Sequence, residues 1–238
     1  MTFWDHLDEL RGVLLKCILA VLLASVVAFC FKDELFAIVF APKQNNLFPT
    51  LFGSDISIRL INTELTRQFI IHMMVSVYAG LLIVMPYIIY QIYGFVLPAL
   101  RKEERRYTTP LILTAYLMFI LGVLFCYFII FPLTFRFLAT YQVDTSVENL
   151  ISLESYIDTL TFLSLALGIA FELPVLSWFL GQLGIIHRRY MQHFRRHAFV
   201  IILIIAALIT PTTDAFTLAL VAIPMYLLYE ISILVVKK

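Results

Sequence analysis

The sequence predicts an all-α membrane protein in which six transmembrane helices form a concave, kinked bundle. Its 238 residues are 62% hydrophobic and only 14% charged, and the mean hydropathy is +0.95. Soluble proteins have roughly 45–50% apolar and about 25% charged residues. Six long apolar runs and four prolines inside them complete the pattern. No linker or repeat divides the chain, so we expect a single domain over residues 1–238.

The apolar runs fall near residues 12–31, 69–94, 108–138, 156–182, 198–210 and 215–236. A helix needs about 20 residues to cross a hydrocarbon core of about 30 Å. The first four runs meet this length easily and the last is adequate, whereas the fifth covers only about 20 Å. We therefore expect short fifth and sixth helices, with Asp214 capping the sixth.

Two arrangements are open for this last pair, which the turn TPTTD separates. One is a re-entrant hairpin, and the other is a pair of short helices that thins the bilayer locally. The flanking basic clusters fall on one side in both arrangements. The turn contains Asp214 and three threonine hydroxyls, which are better placed in water than in lipid. This favours two short spans.

The distribution of positive charge predicts the orientation. With six spans, both termini and the loops around 95–107 and 183–197 share one side, which holds twelve arginines and lysines against five on the other. The side richer in Arg and Lys faces the cytoplasm. Both termini are therefore expected in the cytoplasm.

Local signals predict where the helices bend and begin. Prolines inside apolar runs remove a backbone donor, so several helices should kink, and kinked helices form concave assemblies more readily than straight ones. These prolines are Pro86, Pro132, Pro174 and Pro224. Ser155 and Asp158 have capping-box spacing at the start of the fourth span. The long segment 32–68 should contain short helices on the outer face.

The sequence contains no convincing catalytic or metal-binding pattern. His193 and His197 have helical i, i+4 spacing, but arginines surround them and no carboxylate or cysteine completes a metal shell. His72 is expected to be a hydrogen-bonded residue at a helix contact. Glycine-rich phosphate loops, zinc-binding HExxH and nucleophile elbows are absent from the sequence. We therefore predict no cofactor, no metal and no enzymatic activity.

Two carboxylates lie inside apolar runs. Glu172 is the only charge between Thr159 and Ile186. A charge at that depth costs several kcal/mol or more, so such residues face a protein partner, a cavity or a proton path. Glu230 lies about two turns from the C-terminus, where snorkelling or a bond to a tyrosine accounts for it.

Two acidic patches lie on the side predicted to be cytoplasmic. Glu103 and Glu104 follow the second span, and Asp8 and Glu9 precede the first. A solvated helix end and an interfacial amphipathic helix would each account for one patch. The functional alternative is a site for a short basic peptide, because carboxylates bind guanidinium groups through two parallel hydrogen bonds.

Five motifs occur in order along nearly the whole chain. They are HLDELR near the start, FAP at Phe40–Pro42, MPYIIYQIYGFVLPAL leading into KEERR, FELPV around Glu172, and ITPTTD followed by AIPMYLLYE. Together they resemble TatC, the integral receptor subunit of the twin-arginine protein translocase.

The resemblance implies a function and a set of site residues. It implies binding of twin-arginine signal peptides through Glu104, Glu9 and Phe95, with Glu172 and Thr210 as contacts for partner helices, and Pro42 as a proline of the first outer loop. The implied partners are TatA-type and TatB-type single-span proteins, further copies of this chain and the lipid bilayer, with no nucleic acid. Transport of folded proteins would be driven by the proton-motive force across the cytoplasmic (inner) membrane of a bacterium.

The chain departs from the family pattern at two positions. Val13 stands where members often have a second basic residue, and Leu218 where some have a glutamine. A proton-coupled small-solute transporter using Glu172 is the main alternative function. It predicts inverted repeats and broken glycine-rich helices, which the sequence lacks. An intramembrane enzyme would need paired catalytic groups, which are also missing.

Overall fold

The computed structural model describes residues 3–44, 60–96, 108–142, 144, 149–210 and 214–236. The first half comprises α1 (Phe3–Cys30), α2 (Lys32–Gln44), α3 (Arg67–Val96), α4 (Thr108–Phe125), a π-helical segment (Cys126–Ile130) and α5 (Phe131–Thr140). The second half comprises α6 (Leu153–Ala170), α7 (Leu173–Gln182), α8 (Arg188–His193), α9 (Arg195–Ile209) and α10 (Ala215–Val235). Two short parallel strands, β1 (Leu60–Ile61) and β2 (Ile151–Ser152), pair with Leu60 opposite Ile151.

The all-α membrane fold is confirmed. Among the described residues, five segments are long and apolar enough to cross a membrane: Asp8–Cys30, Arg67–Phe95, Pro110–Thr140, Leu153–Gln182 and Ala215–Val235. The fifth apolar run forms α9, whose 15 residues cover only about 22 Å. The sixth helix, α10, has 21 residues and is longer than the short helix expected, because it starts directly at the turn and continues through Pro224.

Two of the four prolines coincide with breaks in α-helical geometry. Pro174 stands in the first turn of α7, after a turn at Phe171 and Glu172 that separates α7 from α6. Pro132 stands in the first turn of α5, directly after the π-helical segment. A proline has no backbone N–H to donate to the carbonyl four residues earlier, so it interrupts the helical hydrogen bonds. A π-helical turn is one of the ways in which a helix accommodates such an interruption. Pro86 and Pro224 lie inside continuous helices.

The caps of two helices are set by single side chains. The Asp214 carboxylate accepts the N–H of Thr217 at 2.7 Å and caps α10, as expected. The fourth span begins earlier than the capping box at Ser155 predicted. Its N-cap is Ser152, whose hydroxyl accepts the Ser155 N–H at 3.1 Å, because pairing of β2 with β1 already holds Ser152 in an extended conformation.

The bundle exposes its apolar side chains, as a protein surrounded by lipid does. Along α1, large side chains such as Leu19, Leu23 and Val26 are more than half exposed. The most hydrophobic window of the first span is only 17% buried, against 56% for the span formed by α6 and α7. The fourth span is therefore the most buried of the five, and α3, α4, α5, α9 and α10 contact it, whereas α1 packs mainly on α3.

Small residues allow the helices to approach closely. A Cβ added to Gly122 on α4 would lie 2.7 Å from the Leu167 carbonyl oxygen and 2.9 Å from the Gly168 Cα on α6. On the other side of the bundle, a Cβ on Gly80 of α3 would lie 2.7 Å from the backbone nitrogen of Ser25 on α1. Such contacts bring helix backbones together where no hydrophobic force drives them.

Polar contacts hold the segments at the end opposite the chain termini. The expected short helix after the first span is confirmed as α2, which includes Pro42; residues 45–59 lie outside the described part. The Tyr156 hydroxyl donates to the Val39 carbonyl at 3.0 Å and ties α2 to α6. Arg67 at the start of α3 forms an ion pair with Glu154 at the start of α6.

We predict that Gly122→Ala destabilises the protein, because the added methyl meets backbone atoms of α6 that cannot rotate away. Overpacking of this kind costs about 1–3 kcal/mol, so the thermal unfolding midpoint in detergent should fall. Gly94→Ala is the matched control, since a Cβ at Gly94 meets nothing within 4 Å. An equal fall in both variants would contradict the close-packing explanation.

Candidate functional site

The structure places Glu9 and Phe95 at the same end of the bundle. Helices α1 and α3 pack extensively against each other. They run antiparallel, because Ser25 contacts Gly80 while Phe29, further along α1, stacks on His72, further back in α3. Glu9 is 16 residues before Ser25 (25 − 9) and Phe95 is 15 residues after Gly80 (95 − 80). These spacings correspond to about 24 and 22 Å, so the two residues lie at nearly the same level.

Glu9 and Phe95 are both partly buried at that end. Glu104, the third residue assigned to this site by the resemblance, lies outside the described residues, as does its neighbour Glu103. Helix α3 ends at Val96, at this same end of the bundle, eight residues before Glu104. The described residues thus provide two members of the predicted site at one level.

Glu172 lies at the break in the central span. It is the residue before α7, and its backbone N–H donates to the Ile169 carbonyl at 3.0 Å in a tightened turn. Its Oε1 is buried and has no hydrogen-bond partner among the described residues. An unpaired polar atom in a buried position costs free energy. The proline break therefore places a buried polar atom where no described residue satisfies it.

The depth of Glu172 follows from two contacts between α3 and the fourth span. Arg67 pairs with Glu154 at one end, and the rings of Tyr93 and Phe179 meet edge to face at 5.6 Å near the other. The two segments therefore run parallel. Glu172 precedes Phe179 by seven residues, or about 10 Å. The carboxylate therefore lies about two turns inside the end that holds Glu9 and Phe95.

Glu230 is satisfied, in contrast to Glu172. It accepts a hydrogen bond from the Arg195 guanidinium at 2.7 Å and another from the Tyr226 hydroxyl at 3.0 Å. This confirms the expected bond to a tyrosine and adds an ion pair that the sequence did not indicate. The bond joins α9 to α10 at their predicted cytoplasmic ends. Glu230 therefore stabilises the last helix pair.

Thr210 ends α9 and is 6% exposed. Its hydroxyl lies 3.5 Å from the Ala207 carbonyl, at the limit of hydrogen bonding. Leu218, which stands where some family members have a glutamine, is partly buried in the first turn of α10. Residues 211–213 of the turn lie outside the described part. Thr210 and Leu218 thus flank the turn at the end of the bundle opposite Glu9.

The histidines do not form a metal site in the part of the chain that the structure describes. No group of three or more His, Cys, Asp or Glu residues there could hold a metal ion. His193 and His197 instead contact the ring of Phe194 from two sides. His72 stacks on Phe29 with ring centres 4.0 Å apart, which confirms a helix contact. The hydrogen bond expected of it is not seen at Nε2 within the described residues.

The structure also reveals a buried polar pair that sequence reasoning missed. The hydroxyls of Tyr78 on α3 and Ser164 on α6 lie 2.7 Å apart, and Ser164 also donates to the Leu160 carbonyl. Both residues interrupt apolar runs, so their polarity was visible in the sequence. Their pairing was not, because residues 86 positions apart can be matched only by the packing of α3 on α6.

Comparison with known proteins identifies relatives over nearly the whole chain. Residues 5–224 match the family described as Sec-independent protein translocase protein (TatC). The TatC of Aquifex aeolicus is 37% identical over 238 residues, covering 100% of this chain and 95% of the relative. The TatC of Deinococcus radiodurans is 35% identical over 230 residues, covering 97% of this chain and 83% of the relative.

Two solved structures have the same fold. A crystal structure of the twin arginine translocase receptor TatC aligns with a TM-score of 0.82 and 37% identity, covering 97% of each chain. A second crystal structure of this receptor, in the detergent DDM, gives a TM-score of 0.84 with 98% and 100% coverage at the same identity. These matches confirm the resemblance, the multi-pass membrane architecture and the prediction that the chain is not an enzyme.

We predict opposite effects on stability for the two intramembrane carboxylates. Glu172→Met removes an unsatisfied buried oxygen and should raise the free energy of unfolding in detergent by about 1–3 kcal/mol. Glu230→Met, the matched substitution, leaves Arg195 and Tyr226 without their partner and should lower the thermal midpoint. Circular dichroism during heating measures both. A fall of similar size for Glu172→Met would mean that its carboxylate already has a stabilising partner.

Proposed function

Because this chain belongs to the TatC family of Sec-independent protein translocase subunits, we propose that it is the subunit that binds twin-arginine signal peptides. The signal is bound at the cytoplasmic face, where both termini lie. With TatA-type and TatB-type single-span partners, and in assembly with further copies of itself, the chain transports folded proteins across the cytoplasmic membrane of a bacterium. The proton-motive force drives this transport. Both similar crystal structures are of a twin arginine translocase receptor, which supports this assignment.

The observation that carries the proposal is the common level of Glu9 and Phe95. Carboxylates bind the planar guanidinium fork of arginine through paired hydrogen bonds. Glu9 and Glu104 each bind one side of the signal's arginine pair, and Phe95 offers an aromatic face on which a guanidinium stacks. A lysine has a point charge and lacks the fork, so this arrangement selects arginine. The proposed site includes Glu104 but not its neighbour Glu103, whereas a general acidic surface would use both carboxylates.

Glu172 has a different role in the proposal. It lies about 10 Å inside the signal site along the bundle, and its buried oxygen has no partner among the described residues. The apolar part of a bound signal, or a partner helix that enters beside it, brings a hydrogen-bond donor to this carboxylate. Thr210 serves as a further contact for partner helices at the opposite end. Glu172 thus couples signal binding to assembly of the partners.

We predict that Glu104→Ala and Glu9→Ala each weaken binding of a twin-arginine precursor about tenfold or more. Removal of a charge-assisted hydrogen bond costs about 1.5–3 kcal/mol. Glu103→Ala is the matched control and should stay within about twofold. Affinity can be measured with a labelled signal peptide and the purified chain in lipid nanodiscs, and site-specific cross-linking from position 104 gives an independent check.

The signal peptide supplies the reciprocal control for this binding site. Replacing its two arginines with lysines should weaken binding to the wild-type chain, because the charge remains but the paired hydrogen bonds are lost. The same replacement should have little further effect on Glu104→Ala. If Glu103→Ala weakens binding as much as Glu104→Ala, the site is a general acidic surface and the assignment of Glu104 is wrong.

We predict that Glu172→Gln separates binding from transport. Signal affinity should stay close to that of the wild type, because the carboxylate lies deeper than the arginine site. Transport into inverted membrane vesicles should fall about tenfold, as expected when a buried charge loses its partner. Glu230→Gln, which keeps a hydrogen-bonding side chain beside Arg195, is the control for a charge removed elsewhere. Full transport and unchanged partner cross-links in Glu172→Gln would show that the charge has no such role.

A further inference from the structure

A cavity of 1190 Å³ lies at α8 and its junction with α9. Glu9, Phe95 and Glu172 are not among its described lining residues. The described residues that line it all fall within 187–194 and include Arg188, Arg189, His193 and the rings of Tyr190 and Phe194. The ring of Phe194 fills the corner between the two helices and contacts Tyr190 at 4.6 Å. The cavity is therefore lined by the hydrogen-bond donors of the two arginines and by the aromatic rings of Tyr190 and Phe194.

The positive charge of this cavity is not balanced within the described residues. The segment 183–197 contains four arginines and no aspartate or glutamate. Glu230 reaches the segment from α10, but it already binds Arg195 and Tyr226. The Nε of Arg188 is buried and has no hydrogen-bond partner in the described part of the chain. The rule that basic residues face the cytoplasm explains the charge, but not a buried donor without an acceptor.

The shortness of α9, the helix that follows the cavity, places lipid headgroups close to the cavity. At about 22 Å, α9 is shorter than the hydrocarbon core of about 30 Å, so a bilayer that α9 crosses thins beside it. Val200, Ile204 and Leu208 repeat every fourth residue and are 53%, 56% and 75% exposed. They form an apolar stripe that begins about one and a half turns from Phe194 and faces lipid.

We propose that this cavity binds the phosphate of an anionic phospholipid, whose acyl chains lie along the stripe on α9. Arginine forks pair with phosphate oxygens through charge-assisted hydrogen bonds, and Arg188 and Arg189 provide two of them. Tyr190, which is 63% exposed, lies where aromatic side chains mark the edge of the membrane. The bound phosphate offsets part of the positive charge of Arg188 and Arg189 and gives the Nε of Arg188 an acceptor.

Native mass spectrometry of the full chain in detergent, titrated with phosphatidylglycerol or phosphatidylcholine, tests the proposal. The wild type should bind phosphatidylglycerol in preference to phosphatidylcholine. The double variant Arg188→Gln/Arg189→Gln should lose about thirtyfold in affinity, since each basic residue contributes roughly fivefold. Arg196→Gln, the matched control for Arg189→Gln alone, removes one positive charge from an exposed position outside the cavity lining and should change affinity by less than about twofold.

Two results would overturn the proposal. An equal loss in Arg196→Gln would show that surface charge alone attracts the lipid. Displacement of phosphatidylglycerol by millimolar inorganic phosphate would show that the cavity takes free phosphate and that the stripe on α9 is not involved. If the double variant does not fold, Arg189→Gln alone serves the test, because the Arg189 side chain is exposed. Its expected loss is about fivefold, and no loss would contradict the site.

Discussion

The hydrocarbon core supplies no hydrogen-bond partners, and this constraint organises the rest of the structure. Every polar group at membrane depth must find a partner within the protein. Serines and threonines of the spans therefore donate to carbonyls one turn back, as Ser76 does to His72 at 2.7 Å and Ser232 to Leu228 at 2.7 Å. Tyr78 and Ser164 satisfy each other across two helices. Glu230 is satisfied by Arg195 and Tyr226.

Among the described residues of the spans, the groups that depart from this constraint include the Glu172 Oε1, the Thr134 hydroxyl and the His72 Nε2, and Glu172 is the carboxylate among these three. Pro174 breaks the central span, and the turn before it places the Glu172 carboxylate among packed helices with a buried oxygen that no described residue satisfies. Glu230, the other carboxylate in an apolar run, accepts two hydrogen bonds from side chains, so the contrast with Glu172 is clear. Burial of an unpaired oxygen costs free energy, and a partner that brings a donor to it would recover that cost. The cost and the proposed role in assembly thus have one physical origin.

The same constraint links the short fifth helix to its surroundings. Because α9 cannot span the full core, either the lipid or the protein must adjust at its ends. At one end the adjustment is the polar turn that Asp214 caps. At the other it is the arginine-rich cavity beside Phe194, where the proposed lipid phosphate takes the place of an acidic side chain. The central span needs no such adjustment, since α6 and α7 together cover 30 residues and lie deepest in the bundle.

The sequence by itself determined the class of the protein, the residues of interest, and the position of each membrane helix to within a few residues, except that α1 begins nine residues before the predicted run. Composition and apolar run length suffice for this, because the bilayer sets a minimum length that soluble folds do not have. The sequence also marked the Asp214 cap and the cost of a charge at Glu172. The sequence was misleading where a tertiary contact overrode a local signal. Ser155 has capping-box spacing, but pairing of β1 with β2 moves the cap to Ser152.

Only the tertiary structure decided which of these residues lie at one level and which carboxylate is satisfied. The contact of Ser25 with Gly80 aligns Glu9 with Phe95, although 86 residues separate these two in the chain (95 − 9). Packing of α9 on α10 gives Glu230 its arginine, while Glu172 receives none among the described residues. Sequence periodicity indicates which face of each helix is exposed to lipid. The register between helices depends instead on close approaches between distant parts of the chain, such as that of Gly122 to Gly168.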